Sequence, residues 1–360
     1  KEKFKKKMAE QLRQNSDKAD VAEKEAKKEA EAAFAKVKEV KAGEHQKMFS
    51  DLFFDPMKEL KLPDFPMDTF HHLHDEWPDE IKALVPEQDP NYQLNMGSVY
   101  AFCVADDEHG FLVGQPGSGK TSLPIQVAAR TGRPVFKQAF SNDLEADEWI
   151  MSKEIDNEGT HWKVLPFIAT MEYPVYSILD EFNRLRRGGR LLMNQLLNEN
   201  GAMQLRDGRE VRPHPQWRAI ATDNTRGMGD GLDKFDGDIS DISTTDRFGM
   251  MIEVPYLPQK QQIALVQAWF PDLDDKLAKD LVKFGEKIIA GYKSGVFPLP
   301  WTPRRLQKAA KLTIRFRNPK LGLQNAYYNF LAEDDERKAC NQALKDVGIA
   351  RKFGDFSEAK

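Results

Sequence analysis

Cysteine is almost missing from this chain. Cys103 and Cys340 are the only two in 360 residues, far apart and in no C-x-x-C unit. That argues against a disulfide scaffold and suits a reducing compartment. Long apolar runs are missing too: none approaches the roughly 20 residues of a bilayer-spanning helix. Charge of one sign is not in excess, since 53 Lys and Arg stand against 57 Asp and Glu. Nothing therefore marks the whole chain as a nucleic-acid binder, and any such surface must be local. The lysine-rich N-terminus has no apolar stretch behind it and does not read as a secretory signal. Internal repeats are not apparent. A soluble, cytoplasmic protein is the expectation, with room for two modest domains and an extension.

What is present divides into five parts. Residues 1–47 are rich in Lys, Glu and Ala, with Phe4, Met8, Leu12, Phe34, Val37 and Val40 at helical spacing. This predicts a charged helical extension with a thin apolar stripe, either solvated or acting as a coiled-coil-like docking arm. Residues 48–95 hold Phe49, Phe53, Phe54, Pro56, Pro63, Phe65 and Pro66, the composition of an irregular apolar strap. His71, His72 and His74 invite comparison with a metal site. Neighbouring histidines diverge on a helix, however, and no second ligand group stands at a recognised spacing.

From 96 to 257 apolar strands alternate with helices. The strands are predicted at 110–113, 135–140, 175–179, 218–222 and 250–254, with helices at 122–130 and 188–198. This is a βαβ pattern and implies a mostly parallel α/β sheet buried on both faces. From 258 to 345 strands vanish. Helices are predicted at 259–269, 274–292, 303–317 and 325–344, a smaller α-helical domain, and 346–360 reads as a tail.

The chemistry concentrates after the first of those strands. Gly114-Gln115-Pro116-Gly117-Ser118-Gly119-Lys120-Thr121-Ser122 has the G-x-x-x-x-G-K-T spacing between a strand and a helix. Glycines let backbone N–H groups approach phosphate oxygens, and the following helix adds its N-terminal dipole. Lys120 supplies a point charge at the β- and γ-phosphates, and Thr121 a hydroxyl for Mg²⁺. The strand ending at Asp180-Glu181 places two acids at the carboxyl edge of the sheet. There Asp180 would hold Mg²⁺ and Glu181 would polarise an attacking water. Asn224 ends another buried strand and can orient that water. Arg247 and Arg304 are candidate cations for the transferring phosphoryl group.

In this order, these motifs resemble an AAA+ ATPase, with its α/β P-loop core and small α-helical lid. The run Asp180-Glu-Phe-Asn-Arg184 resembles the MoxR branch. Residues 211–230, with Val211-Arg-Pro-His-Pro-Gln-Trp-Arg218 and Ala219-Ile-Ala-Thr-Asp-Asn224, are similar to the cobaltochelatase ATPase subunits of the CobS type, a family also found in phage genomes. So are Thr245-Asp-Arg-Phe248, Tyr256-Leu-Pro258 and residues 85–92. The resemblance spans about 85–330. It implies ATP and Mg²⁺ as cofactors and a homo-oligomeric ring, usually a hexamer, that remodels a protein partner. Glu181, Asn224 and the P-loop would act from one subunit and Arg247 from its neighbour. For Arg304 the resemblance leaves open the same subunit or the next. An integrin-like or chelatase partner, driving cobalt insertion into a corrin precursor, is the alternative it implies. A nucleotide-gated scaffold is a third. Residues 149–164 and 203–212 match family insertions that face the pore or the partner. Asp223 departs from the pattern, standing where the family has a small residue. The loop at 229–246, with Asp230, Asp233, Asp236, Asp238 and Asp241, reads as a solvated acidic loop, with a cation site as the alternative.

Overall fold

The computed structural model describes residues 41–141, 148–156, 159–198, 201–224 and 242–356. Residues 1–40 of the helical extension expected at 1–47, part of the turn at 156–159 and most of the Asp-rich loop lie outside them, and residues 41–47 are not helical but lead into a strand that starts at Gln46. Two compact units divide at Thr69 and Phe70.

In the first unit, β1 (Gln46–Met48) and β2 (Pro66–Asp68) form an antiparallel ribbon. Phe49 is fully buried, with the rings of Phe53, Phe54 and Phe65 at 4.9, 5.0 and 5.2 Å. The expected irregular strap is thus partly regular. The reason is local polar chemistry: Asp55 caps the turn that Pro56 opens, and Asp64 accepts from both Ser50 N and Oγ.

The second unit begins with a 3₁₀ turn, His71–Glu76. Its histidines serve the backbone: His71 and His74 Nε2 lie 3.4 and 3.3 Å from the carbonyls of Arg130 and Gly132. Among the described residues no group of three or more His, Cys, Asp or Glu is gathered as metal ligands. Next come α1 (Met96–Val104), β3 (Gly110–Val113), α2 (Ser122–Thr131) and β4 (Val135–Ala139). A hairpin of β5 (Met151–Asp156) and β6 (Gly159–Val164) leads to β7 (Tyr176–Asp180) and α3 (Arg187–Leu196). The small hairpin β8 (Met203–Gln204) and β9 (Glu210–Val211) precedes β10 (Arg218–Asp223) and β11 (Met250–Glu253).

The five central strands form one sheet in the order β11-β3-β10-β7-β4, all neighbours parallel. β3 and the first four residues of β7 are buried throughout, as strands covered on both faces must be. Because β3 sits between β10 and β11, the chain after it leaves the sheet where strand order reverses, which is where α/β folds open a crevice.

A buried cation closes the opposite edge. Arg133 is 1% exposed, lies 4.5 and 4.2 Å from the ring centroids of Phe70 and Tyr176, and meets Asp106 Oδ1 at 3.2 Å. Asp106 also accepts from the Tyr176 hydroxyl. Arg133→Met is expected to lower stability by about 3 kcal/mol, since it strips a mostly buried carboxylate of its charge partner. A urea midpoint within error of the parent would refute that account.

The helical layer comprises α4 (Gln259–Trp269), α5 (Asp275–Lys293), α6 (Pro303–Phe316), α7 (Pro319–Ala326), α8 (Asp334–Asp346) and α9 (Ile349–Phe353). Its core holds Phe284, Trp301, Leu306, Tyr327 and Leu344. Two expectations are corrected here. The single helix at 325–344 is two helices separated by Tyr327–Glu333. Asn318 caps the first by accepting from Lys320 N and Leu321 N, and a Glu333/Glu336 capping box starts the second. Between them Tyr327 buries its ring and donates to Leu299 O at 2.7 Å. The residues after 345 are not a free tail, since Ile349 and Phe356 are buried in the helical core. No helix of the described residues is long and apolar enough to cross a membrane.

Candidate functional site

The loop from Gly114 to Thr121 joins the end of β3 to the start of α2, the place where a helix N-terminus favours an anion. At Gly114 a Cβ would stand 2.4 Å from Val254 O. Gly119 adopts φ +99 with open space where a Cβ would be. An L side chain would be strained at the second and would clash at the first. Ser118 Oγ is buried with no hydrogen-bond partner among the described residues. The open space at Gly119 fits a phosphate chain.

Beside the loop lies a cavity of about 300 Å³. It is lined by Pro116, Gly117, Gly119, Lys120, Thr121 and Ser122, by Asp180, Glu181 and Asn224, and from the helical layer by Arg304. The structure therefore gathers residues from four separate stretches around one space. Gly114, Gln115 and Ser118 do not line it. The first two border a cavity of about 710 Å³ toward Tyr256 and α5.

Lys120 Nζ donates to Gly114 O at 2.8 Å, Gln115 O at 3.1 Å and Asn224 Oδ1 at 2.9 Å. Burial pulls its ammonium down to about 8, against the opposing pull of Asp180 and Asp223. Asp180 is the hub of the acidic side. Its Oδ1 accepts from Thr121 Oγ1 at 3.2 Å and Thr222 Oγ1 at 2.5 Å, and its Oδ2 meets Lys137 Nζ at 2.7 Å. Burial alone would raise this carboxyl, but the hydrogen bonds from Lys137, Thr222 and Thr121 outweigh it and hold the group below its ordinary value. Thr121 and Asp180 side by side suit Mg²⁺, which takes one or two protein oxygens and fills its other positions with phosphate and water. A cage of protein carboxylates is not required.

Glu181 stands in the left-handed region at φ 57, ψ 45, and its Oε2 lies 3.1 Å from Arg184 Nη1. A non-glycine residue there costs of order 1–3 kcal/mol and marks backbone shaped for a site. Arg247 is elsewhere. It precedes β11 at the edge where strands begin, is not among the cavity's lining residues, and donates from Nε to Asn198 Oδ1 at 3.0 Å. Asp223, the departure from the family pattern, is 2% exposed and accepts from Asn224 N at 2.6 Å.

Sequence reasoning missed Lys137, Thr222, Trp269 and Gln307. The first two contact Asp180, and the last two line the cavity with Thr222. The contact of Lys137 with Asp180 depends on the parallel register of β4 and β7. Thr222 comes to Asp180 through the pairing of β10 with β7, and Trp269 and Gln307 depend on how the helical layer folds back.

Residues 109–241 match the family model of the AAA domain, dynein-related subfamily. The aerobic cobaltochelatase subunit CobS from Sinorhizobium sp is 26% identical over 237 residues, covering 62% of this chain and 70% of that protein. Protein NorQ from Paracoccus denitrificans is 26% identical over 254 residues, covering 70% of this chain and 90% of that one. Among solved structures, the Holliday junction branch migration motor RuvB of Thermotoga maritima covers 76% of this chain and is itself 89% covered, at 14% identity and TM-score 0.45. The fold assignment rests on the strand order, not on that likeness.

Proposed function

We propose that this chain, an AAA+ ATPase of the MoxR type, works as a homo-oligomeric ring, a hexamer in the simplest case, that couples ATP hydrolysis to remodelling a protein partner. One observation carries the reading. The cavity holds Lys120, Asp180 and Glu181 at the carboxyl edge of the sheet, while Arg247 stands at the other edge, outside it. Arg304 lines the cavity with Lys120, and on this reading Arg247 acts at the site of another copy of the chain.

The roles follow from position. The loop amides and Lys120 bind the phosphates. Thr121 and Asp180 would hold Mg²⁺, which when bound neutralises charge between the β- and γ-phosphates. Glu181 takes the proton of the attacking water, Asn224 orients that water, and Arg304 reaches the phosphates from the lid of the same subunit. The paired hairpins β5–β6 and β8–β9 project Ile155, 81% exposed, and a turn at Asp207-Gly208, and are the surfaces assigned to the partner.

The test is nucleotide-dependent assembly measured together with turnover. Lys120→Ala should weaken ATP binding at least about 10-fold, the worth of one charge-assisted contact. ATPase activity at the parental rate in that variant would sink the site. A parent that stays monomeric yet fully active would sink the ring.

The depressed ammonium gives a pH signature. Phosphate binding favours charged Lys120, which the free protein holds below about pH 8 and loses above it. Affinity for ATP should therefore be at its full value below that pH and fall as pH rises through it. Calorimetry in two buffers at about pH 9 should show uptake of close to one proton on binding, and little at about pH 7. Equal uptake at both would refute the assignment to Lys120.

A further inference from the structure

The cation closest to Asp180 is neither the P-loop lysine nor an arginine. We propose that Lys137 is a tethered counter-cation that opposes the divalent ion at Asp180 and so ties metal entry to the arrival of nucleotide. This rests on the reading of Thr121 and Asp180 as the Mg²⁺ pair.

The register sets the contact. β4 pairs in parallel with β7, with Lys137 opposite Ile178 and Ala139 opposite Asp180. Side chains alternate along a strand, so Lys137 shares its face with Ile178 and with Asp180 one pair further on. The ammonium reaches forward to Oδ2 at 2.7 Å, while both hydroxyls, from Thr121 and Thr222, donate to Oδ1. The division of labour is therefore visible atom by atom. Two neutral donors already fix the carboxylate's rotation, and what Lys137 adds is charge.

Lys137 is not among the residues lining the nucleotide cavity, so it is not a phosphate ligand in this geometry. It sits on the edge strand of the sheet with its side chain 47% exposed, so its removal should not unfold the core. Without nucleotide the ammonium satisfies Asp180, and a divalent cation approaching Oδ1 meets a positive charge across the same carboxylate. The phosphates supply the negative charge that reverses the balance. Free metal is disfavoured in the empty site, and metal carried with nucleotide is accepted.

The test uses Mn²⁺ as a paramagnetic probe of the full-length protein, with free ion followed by electron paramagnetic resonance. Lys137→Gln should bind Mn²⁺ about fivefold more tightly than the parent without nucleotide, a factor equal to about 1 kcal/mol. The difference should shrink with ADP present, and Lys137→Arg should match the parent. Unchanged or weaker Mn²⁺ affinity in Lys137→Gln overturns the proposal, as does a Lys137→Arg variant that behaves like Lys137→Gln. Asp180→Asn separates the two levels. If ADP-dependent Mn²⁺ binding survives it, the metal reading falls and this inference with it. If that binding is lost while Lys137→Gln equals the parent, only the counter-cation role is wrong.

Discussion

Arg247→Ala should lower ATP turnover by about 10³-fold or more while leaving ATP affinity nearly unchanged. Geometry supports both halves of that expectation. Phe248 is buried, with its ring 5.2 Å from Phe111 and 5.6 Å from Phe182, so the backbone carrying Arg247 is anchored to the sheet. β11 then pairs with β3 from Met250 opposite Gly110, which puts Arg247 beyond the starting edge. Lys120 follows the finishing edge of β3. A four-residue strand puts about 10 Å between its ends at roughly 3.3 Å per residue, and Arg247 is held at Asn198 rather than among the residues lining the cavity. Mixing gives the decisive measurement. Arg247→Ala subunits keep a nucleotide site but offer no arginine to a neighbour, and Lys120→Ala subunits keep that arginine without a working site. Each should be nearly inactive alone, and the mixture should regain part of the parental rate. A homogeneous Arg247→Ala protein at full activity, or a mixture no better than its components, would refute action across the subunit boundary.

Much of this arrangement was legible in the chain because burial on both faces leaves a plain mark. Phe111-Leu-Val113 and Tyr176-Ser-Ile-Leu179 are continuous buried runs, and the expected strands fall within about one residue of those observed. The P-loop was legible for a different reason: its glycines and lysine are fixed by the phosphate geometry itself. The helical layer was less readable. At 325–344 helical spacing continues through Tyr327 and Tyr328, whose burial in the lid core interrupts the helix. The Asn318-Pro319 pair and the Glu333-x-x-Glu336 spacing were the missed signals, since both mark helix starts. Lys137 was out of reach for another reason. Its partner lies 43 residues on, and only the parallel register of β4 and β7 brings the two charges together.

Glu181→Gln is expected to cut turnover by about 10²–10⁴-fold, the range for losing a positioned general base, with ATP still bound. The substitution keeps size and hydrogen-bonding capacity and removes only basicity. Backbone shape makes the residue suitable for this task. Its left-handed φ of 57 turns the chain sharply after Asp180, so that the adjacent acids take different roles. Asp180 is held in the hydroxyl and ammonium cluster, whereas Glu181 keeps 44% of its side-chain surface exposed and among the described residues pairs with Arg184 in a contact of i,i+3 type. A half-exposed ion pair of that kind is worth about 0–1 kcal/mol, so Arg184 can release the carboxylate when substrate water enters. Rapid-quench measurement should show ATP bound and uncleaved in Glu181→Gln, and Arg184→Ala should retain most of the parental rate. If Glu181→Gln turns over normally, the base must lie elsewhere. If instead it fails to bind ATP, the left-handed turn rather than the carboxylate is what the site depends on.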